Sequence, residues 1–413
     1  MEKRSKPKLG AIYLVIFLDM LGFGTIIPVI RDFTILLVDQ SNLTGWDYAT
    51  LSGILMSVYS VFQFVFAPLL GRLSDQHGRK PILLVSVLGN VISYFLWAVS
   101  NSFGLFLISR IISGATGGNI SVAQSYIADV TTRENRAKAM GLMGAIFGLG
   151  FILGPFLGGL LSKVDISHIS FGLIKFNRFS LIGIFTMSLS LINLIWISLS
   201  LREPVKNKPK FTSLKDLVNP LLLFRQFLNP VLGRLFLINF LLSIGFVHIE
   251  STLAWDLLDR FKLETSQTGY FFAYLGVVMV FIQGGIYRRV HKKGNEAKLA
   301  KIGLIFSAVA LFLIPFSYPL LIMGGVIAVL AFGMGFANPS LTTLVSLNSQ
   351  DENQGFNLGI VQSLGSLARA LAPVSATLLY DHLAHSAPFF SASIFVFIGF
   401  LIALGLSKKI ENN

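Results

Sequence analysis

A dozen apolar stretches, each about as long as a bilayer is thick, constrain this chain more than any other feature. They run over roughly 9–30, 48–70, 81–100, 103–127, 137–162, 179–201, 235–258, 267–287, 299–317, 319–346, 355–380 and 388–407. A hydrocarbon core about 30 Å thick takes about 20 residues of α-helix to cross. In that medium every backbone N–H and C=O must be satisfied within the segment, which helices achieve, and these runs are too long and too evenly apolar for barrel strands. The expected fold is therefore all-α and integral to the membrane, with twelve transmembrane helices. Only 13% of the residues are charged, against roughly 25% in soluble domains, which excludes an ordinary cytosolic enzyme.

Charge placement sets the orientation. With both termini inside, the inner loops and termini carry 25 Lys and Arg, and the outer loops hold six: Arg31, Lys163, Lys175, Arg178, Arg260 and Lys262. That imbalance predicts cytoplasmic N- and C-termini, in the plasma (inner) membrane if the chain is bacterial. The formal net charge of +13 is then a matter of topology and lipid contact, and no nucleic-acid partner is needed to explain it. Lys3, Arg4, Lys6 and Lys8 precede a stretch too long for the core of a cleaved signal peptide. The chain has no cysteine, so disulfides, thiol chemistry and Cys-based metal centres are excluded, and its six scattered His form no metal motif. No cofactor and no metal site are expected.

The long inner segment 202–234 divides the helices six and six, giving bundles at 1–201 and 235–413. Its first part, with Glu203, Pro204, Lys206, Lys208 and Pro209, is expected to be a linker, and 214–227 an interfacial helix. Residues 133–162 align without a gap on 351–380 at an offset of 218: Glu134 meets Glu352, Asn135 meets Asn353, Gly141 meets Gly359 and Pro155 meets Pro373. A weaker echo relates 72–80 to 288–294. Such repetition predicts two pseudo-symmetric six-helix bundles about an axis along the membrane normal, with a central cavity between them.

Four stretches carry a resemblance to a known family. Gly71-Arg72-Leu73-Ser74-Asp75-Gln76-His77-Gly78-Arg79-Lys80 resembles the loop signature of the major facilitator superfamily between its second and third helices, differing at Gln76, where a basic residue is usual. Arg110, Gly114, Gly117 and Gly118, continuing to Asp129, are similar to its fourth-helix motif. Gly148, Gly150, Gly154, Pro155, Gly158 and Gly159 resemble the fifth-helix motif of its antiporters, and 18–29 their first-helix motif. The resemblance spans essentially the whole chain and is to the branch of drug:proton antiporters that includes the tetracycline-resistance efflux proteins. It implies the twelve-helix major facilitator fold and proton-coupled export, with protons as the coupling ion.

Physical reasoning ranks the candidate residues. Asp19 lies near the middle of the first span, where a carboxylate costs about 2.5–3.5 kcal/mol on insertion scales. Removing it from water favours its neutral form, so it is a candidate for reversible protonation; a structural hydrogen bond is the alternative. Arg110 stays charged at any relevant pH and is expected to sense such an acid, or to be a buried structural arginine. Ser113, Gly117, Ser121 and Gln124 follow on its face of the fourth span, and Gln362, Ser366 and Arg369 share a face of the eleventh, so these are candidate cavity linings or close packing surfaces. His248 and Glu250 on the seventh span stand about 200° apart around a helix, so one cavity cannot receive both. Glu250 is the stronger cavity candidate, and His248 suits either a proton carrier or a hydrogen-bonded packing residue. Arg369 suits an anionic substrate or a pair with Glu250. Left unpaired, Asp19, Arg110, Glu250 and Arg369 together would cost about 10 kcal/mol.

Asp256 and Asp259, at the outer end of the seventh span, are expected to be solvated. Gly71, Asp75, Gly78, Arg79 and Lys80 form a candidate cytoplasmic gate held by charge pairing and helix-end electrostatics. Gly150, Gly154, Gly158 and Gly159 permit close helix approach around Pro155, as antiport or plain packing requires.

The leading expectation is a secondary antiporter, functional as a monomer among lipids, that exports a small organic compound or drug by alternating access. An importer or facilitator of a small metabolite on the same fold is the alternative. A membrane enzyme or receptor is remote, since the chain has no Walker A, H-E-x-x-H or G-x-S-x-G motif and no large soluble domain.

Overall fold

The computed structural model describes residues 9–43, 45–131, 133–172, 174–204, 227–292, 294–350 and 354–406. In chain order the helices are α1 (Gly10–Ile26), α2 (Ile30–Ser41), α3 (Tyr48–His77), α4 (Arg79–Ala98), α5 (Phe103–Gly117), α6 (Asn119–Val130), α7 (Arg133–Leu161) and α8 (Ser180–Ser200). A two-strand hairpin, β1 (Ser170–Phe171) with β2 (Ile174–Lys175), precedes α8. Then come α9 (Pro230–Phe261), α10 (Thr265–Phe281), α11 (Glu296–Leu313), α12 (Leu320–Leu347), α13 (Gln354–His382) and α14 (Ala387–Leu404). Each of the twelve expected stretches coincides with helix. Among the described residues, nine helices are long and apolar enough to span a bilayer, and the bent pair α1 and α2 makes ten. The more polar α7 and α13 occupy the fifth and eleventh positions, the two stretches related by the internal repeat.

Two expected spans are more complicated than their hydropathy. The first turns by 66° between α1 and α2, at Pro28, which has no N–H to continue the ladder. Hydropathy missed α2 because it is two-sided: Phe33, Leu37 and Val38 are buried while Asp39 and Gln40 are exposed. The fourth span breaks at Gly118 into α5 and α6. Six residues of π-helix, Ile282–Tyr287, follow α10 and contain Gly284 and Gly285. The expected interfacial helix at 214–227 falls almost wholly outside the described residues.

By proximity the chain forms two compact units. One comprises Met1–Tyr48, Val58–Leu217 and Glu264–Tyr270, and the other Ala49–Ser57, Val218–Leu263 and Phe271–Asn413. Within the first, α1 packs on α7 and α8, and α4 packs on α5 and α8. Within the second, α9 packs on α13 and α14, and α11 on α12 and α14. These are the same pairings shifted by six spans, the internal counterpart of the sequence repeat. The core of the first unit gathers around α1, where Ile12, Val15, Ile16 and Met20 meet Leu83 and Val87 of α4, Val122 and Tyr126 of α6 and Ile197 of α8.

Each unit takes in a short piece of a helix from the other sequence half. The first turns of α3 belong to the second unit, where a Cβ on Gly53 would come within 2.8 Å of the Pro373 carbonyl of α13. The first turns of α10 belong to the first unit, where a Cβ on Gly269 would come within 2.7 Å of the Pro155 carbonyl of α7. Pro155 and Pro373 are the repeat-related pair, so both halves use the same proline-to-glycine crossing. Beside each crossing an aspartate binds a helix start. Asp381 accepts from the N–H and hydroxyl of Thr50, both at 2.8 Å, and Asp32 accepts from the hydroxyl of Thr265. Free N–H groups at a helix N-terminus favour a carboxylate.

At the C-terminal end of α9 the expectation of solvated acids is corrected. Asp256 is buried and pairs with Arg260 at 2.7 Å, while Asp259 accepts from Tyr380 at 2.8 Å. Arg260 also donates to the carbonyls of Ile314 and Pro315 at the end of the α11 segment. The cationic partner one helical turn away is what replaces water there.

Candidate functional site

In the first unit Asp19 is 3% exposed, on α1. Its Oδ1 accepts from Asn90 Nδ2 of α4 at 2.6 Å, and its Oδ2 has no partner among the described residues. Asn90 Oδ1 in turn accepts from the Thr116 hydroxyl of α5 at 2.5 Å. A second amide, Asn119 at the start of α6, stands beside the same carboxylate without a hydrogen bond of ordinary geometry. Gly22, one turn after Asp19, leaves the space that the Tyr94 hydroxyl occupies.

Arg110, 1% exposed, is housed separately. Its guanidinium carbon lies 5.6 Å from the ring centre of Tyr59, 5.3 Å from that of Trp97 and 5.2 Å from that of Phe106. Its Nε and Nη2 have no hydrogen-bond partner among the described residues. Cation–π contacts contribute about 0.5–2 kcal/mol each, so three of them offset a midplane cost of about 3 kcal/mol. Tyr94 is close enough to feel the charge of both Asp19 and Arg110.

The fourth-span stripe resolves as packing more than as open cavity wall. Ser113 is buried, Gly114 and Gly117 lie against Tyr59 of α3, and Ser121 donates to the Ala67 carbonyl at 2.7 Å. Gln124 is half-buried. On α7, Gly150, Gly154 and Gly158 face the backbone of α1 at Phe17, Leu21 and Thr25, while Gly159 faces Gly269.

In the second unit Glu250 is 3% exposed with Oε1 unpartnered among the described residues, and the charge of Arg369 on α13 acts on it. Arg369 also donates to Ser366 at 3.1 Å, and Gln362 on the same helix is exposed. His248 turns elsewhere. Its Nδ1 lies 2.9 Å from the Ile244 carbonyl, its Nε2 lies 3.4 Å from Ser375, and its ring meets Phe395 edge-on.

The candidate gate is a closed network in the first unit. Arg79 binds Asp75 at 2.5 Å, Asp129 at 2.8 Å and the Ser74 hydroxyl at 2.6 Å. Glu203 caps α4 by accepting from the N–H of Arg79 at 3.0 Å and of Lys80 at 2.9 Å. Gly78 has φ of +105°, and a Cβ there would meet the Glu203 carboxylate at 2.6 Å, so only glycine suits the position. Gly71 presents its carbonyl to Ser74 and Arg79, and Lys80 Nζ reaches the Ser198 carbonyl at 2.8 Å.

Sequence reasoning did not single out Asn90, Thr116, Asn119, Tyr94, Tyr59 or Glu203. The signal was present for Asn90, the one amide in the apolar stretch 81–100. Among the described residues no three His, Asp or Glu cluster as metal ligands.

Comparison with known proteins places this arrangement. A sequence profile described as Major Facilitator Superfamily matches residues 10–373 and 298–411. The class H tetracycline resistance protein of Pasteurella multocida is 32% identical over 381 residues, covering 90% of this chain and 88% of its own. Major facilitator superfamily domain-containing protein 10 of Homo sapiens is 32% identical over 347 residues, covering 79% and 72%. A crystal structure of the human organic anion transporter MFSD10 superposes with a TM-score of 0.73 at 27% identity, covering 96% of this chain and 98% of that one. A bacterial homologue of the human lysosomal transporter Spinster, 15% identical, shares the fold at a TM-score of 0.75. With a profile match from one end to the other and relatives this similar over most of its length, the chain belongs to the Major Facilitator Superfamily and is a multi-pass membrane transporter, not an enzyme.

Proposed function

We propose that the protein is a proton-coupled antiporter that exports a small organic compound by alternating access. The observation that carries this reading is the pair of buried carboxylates, Asp19 and Glu250, one in each unit, each with one oxygen unpartnered among the described residues. A carboxylate at membrane depth with an open oxygen is suited to take and release a proton. Arg369 stays charged throughout and supplies fixed positive potential to Glu250, while Arg110 keeps its charge among aromatic rings in the first unit. The antiporter-type α7 motif and the tetracycline resistance relatives favour export. The human relative described as an organic anion transporter favours a substrate with an anionic group, for which Arg369 is the candidate cationic contact. The excess of basic residues on one set of loops supports cytoplasmic termini in a plasma membrane. Lipid contact and action as a monomer complete the proposal.

Counterflow in proteoliposomes tests it, with tetracycline and a fluorescent organic anion as probes. An imposed acidic lumen is expected to drive accumulation of at least one probe above equilibrium. Exchange without any response to the pH gradient would instead support a facilitator, and absence of exchange would remove these probes as substrates.

A further inference from the structure

Asn90 plays no part in the expectations above, yet among the described residues it donates the well-formed hydrogen bond to the first unit's buried acid. Its amide is held from both sides: Nδ2 donates to Asp19 Oδ1 at 2.6 Å, and Oδ1 accepts from Thr116 at 2.5 Å. The Thr116 hydroxyl has one proton, and its other acceptors, the carbonyls of Ile112 and Ser113, are farther away at 2.9 and 3.3 Å. That contact orients the amide so that its NH2 faces the carboxylate, a donor suited to the ionised form. Thr116 comes this close because α4 offers Gly89, whose missing side chain leaves room for the threonine methyl. Thr116 is also the last residue before Gly117 and Gly118, where the fourth span breaks.

We propose that Asn90 is the positioning residue for proton exchange at Asp19, with Thr116 as its orienting partner. Asn90 occupies Oδ1 and leaves Oδ2 as the oxygen that takes the proton. Because the amide is held by α4 and steered by α5, a shift of the broken span against α4 withdraws the donor and changes how tightly Asp19 holds its proton. The inference rests on the proposed function, which makes Asp19 an exchanging acid. Of the other titratable or charged groups, Tyr94 on α4 feels the charge of Asp19 and also that of Arg110 on α5 and Tyr59 on α3, and α6, which packs on α1, carries Asn119 beside the carboxylate together with Tyr126 and Asp129. The sequence of α8 has none, and the described α7 residues facing α1 include Gly150, Gly154 and Gly158.

The test uses the full chain in liposomes and needs no substrate: pH-difference infrared spectra, with the Asp19 carboxyl band identified by its loss in Asp19→Asn. Thr116→Val is isosteric and touches Asn90, not Asp19. It and Asn90→Leu are expected to move the midpoint of that band to higher pH by about one unit, the tenfold change expected when a hydrogen bond to a charged group is lost. Thr116→Ser keeps the hydroxyl and is expected to keep the parental midpoint. An unmoved midpoint in both Thr116→Val and Asn90→Leu overturns the positioning role while leaving Asp19 as an exchanging acid. If Asp19→Asn removes no titrating band, the coupling reading itself fails.

Discussion

The two units house buried charge differently. In the first, acid and base are kept apart: Asp19 is bound by an amide, and Arg110 sits among three aromatic rings. In the second, no amide binds Glu250 among the described residues, and its electrostatic partner is Arg369. The difference matters because a carboxylate held by a neutral donor can gain a proton without orphaning a cation. A carboxylate matched to an arginine releases that arginine when it is protonated, freeing it for an anionic substrate. On the proposed function, the first unit is the one suited to sensing protons and the second the one suited to exchanging a proton for a ligand.

Removal of the arginines is the strongest way to break this contrast. Arg369→Met should destabilise the protein by about 3 kcal/mol, because it leaves Glu250 buried without its counter-charge, and Glu250→Gln in the same chain should recover most of that loss. Arg110→Met should cost less than about 1 kcal/mol, since it orphans no carboxylate and places an apolar chain among aromatic rings. Thermal unfolding in detergent checks both, and equal losses would contradict the contrast.

The helix crossings provide the matching control, since here the units are expected to behave alike. Gly53→Val and Gly269→Val each force a side chain against a proline carbonyl and should each cost about 2 kcal/mol by the same assay. A large difference between them would break the equivalence of the crossings. Smaller still are the helix-start contacts. Thr265→Val should cost about 1 kcal/mol, and Thr50→Val less, because Asp381 keeps the Thr50 backbone N–H.

Much of the fold was legible in the sequence because hydrocarbon leaves few options: an apolar run of about 20 residues has to be a helix. The repeat at an offset of 218 anticipated the proline crossings but not their glycine partners, since Gly53 and Gly269 lie outside the aligned segments. The bend at Pro28 and helix α2 escaped notice because an amphipathic helix lowers mean hydropathy without ceasing to be buried on one face. At the site, charged residues at membrane depth were easy to see because each is costly there. Their neutral partners were not. Asn90, Thr116 and Tyr94 cost far less to bury, and only the packing of α1, α4 and α5 brings them to Asp19. Asp256 was misjudged for the same reason, its partner Arg260 being visible in sequence but its burial only in the packed unit.

The most direct measurement compares pH-gradient-driven accumulation with counterflow for Asp19→Asn and Glu250→Gln in proteoliposomes, using whichever probe the parent exchanges. Both variants should retain counterflow while gradient-driven accumulation falls by about tenfold or more, a loss of at least about 1.4 kcal/mol of coupling. Full gradient-driven accumulation in both variants would contradict the assignment of these carboxylates to proton coupling.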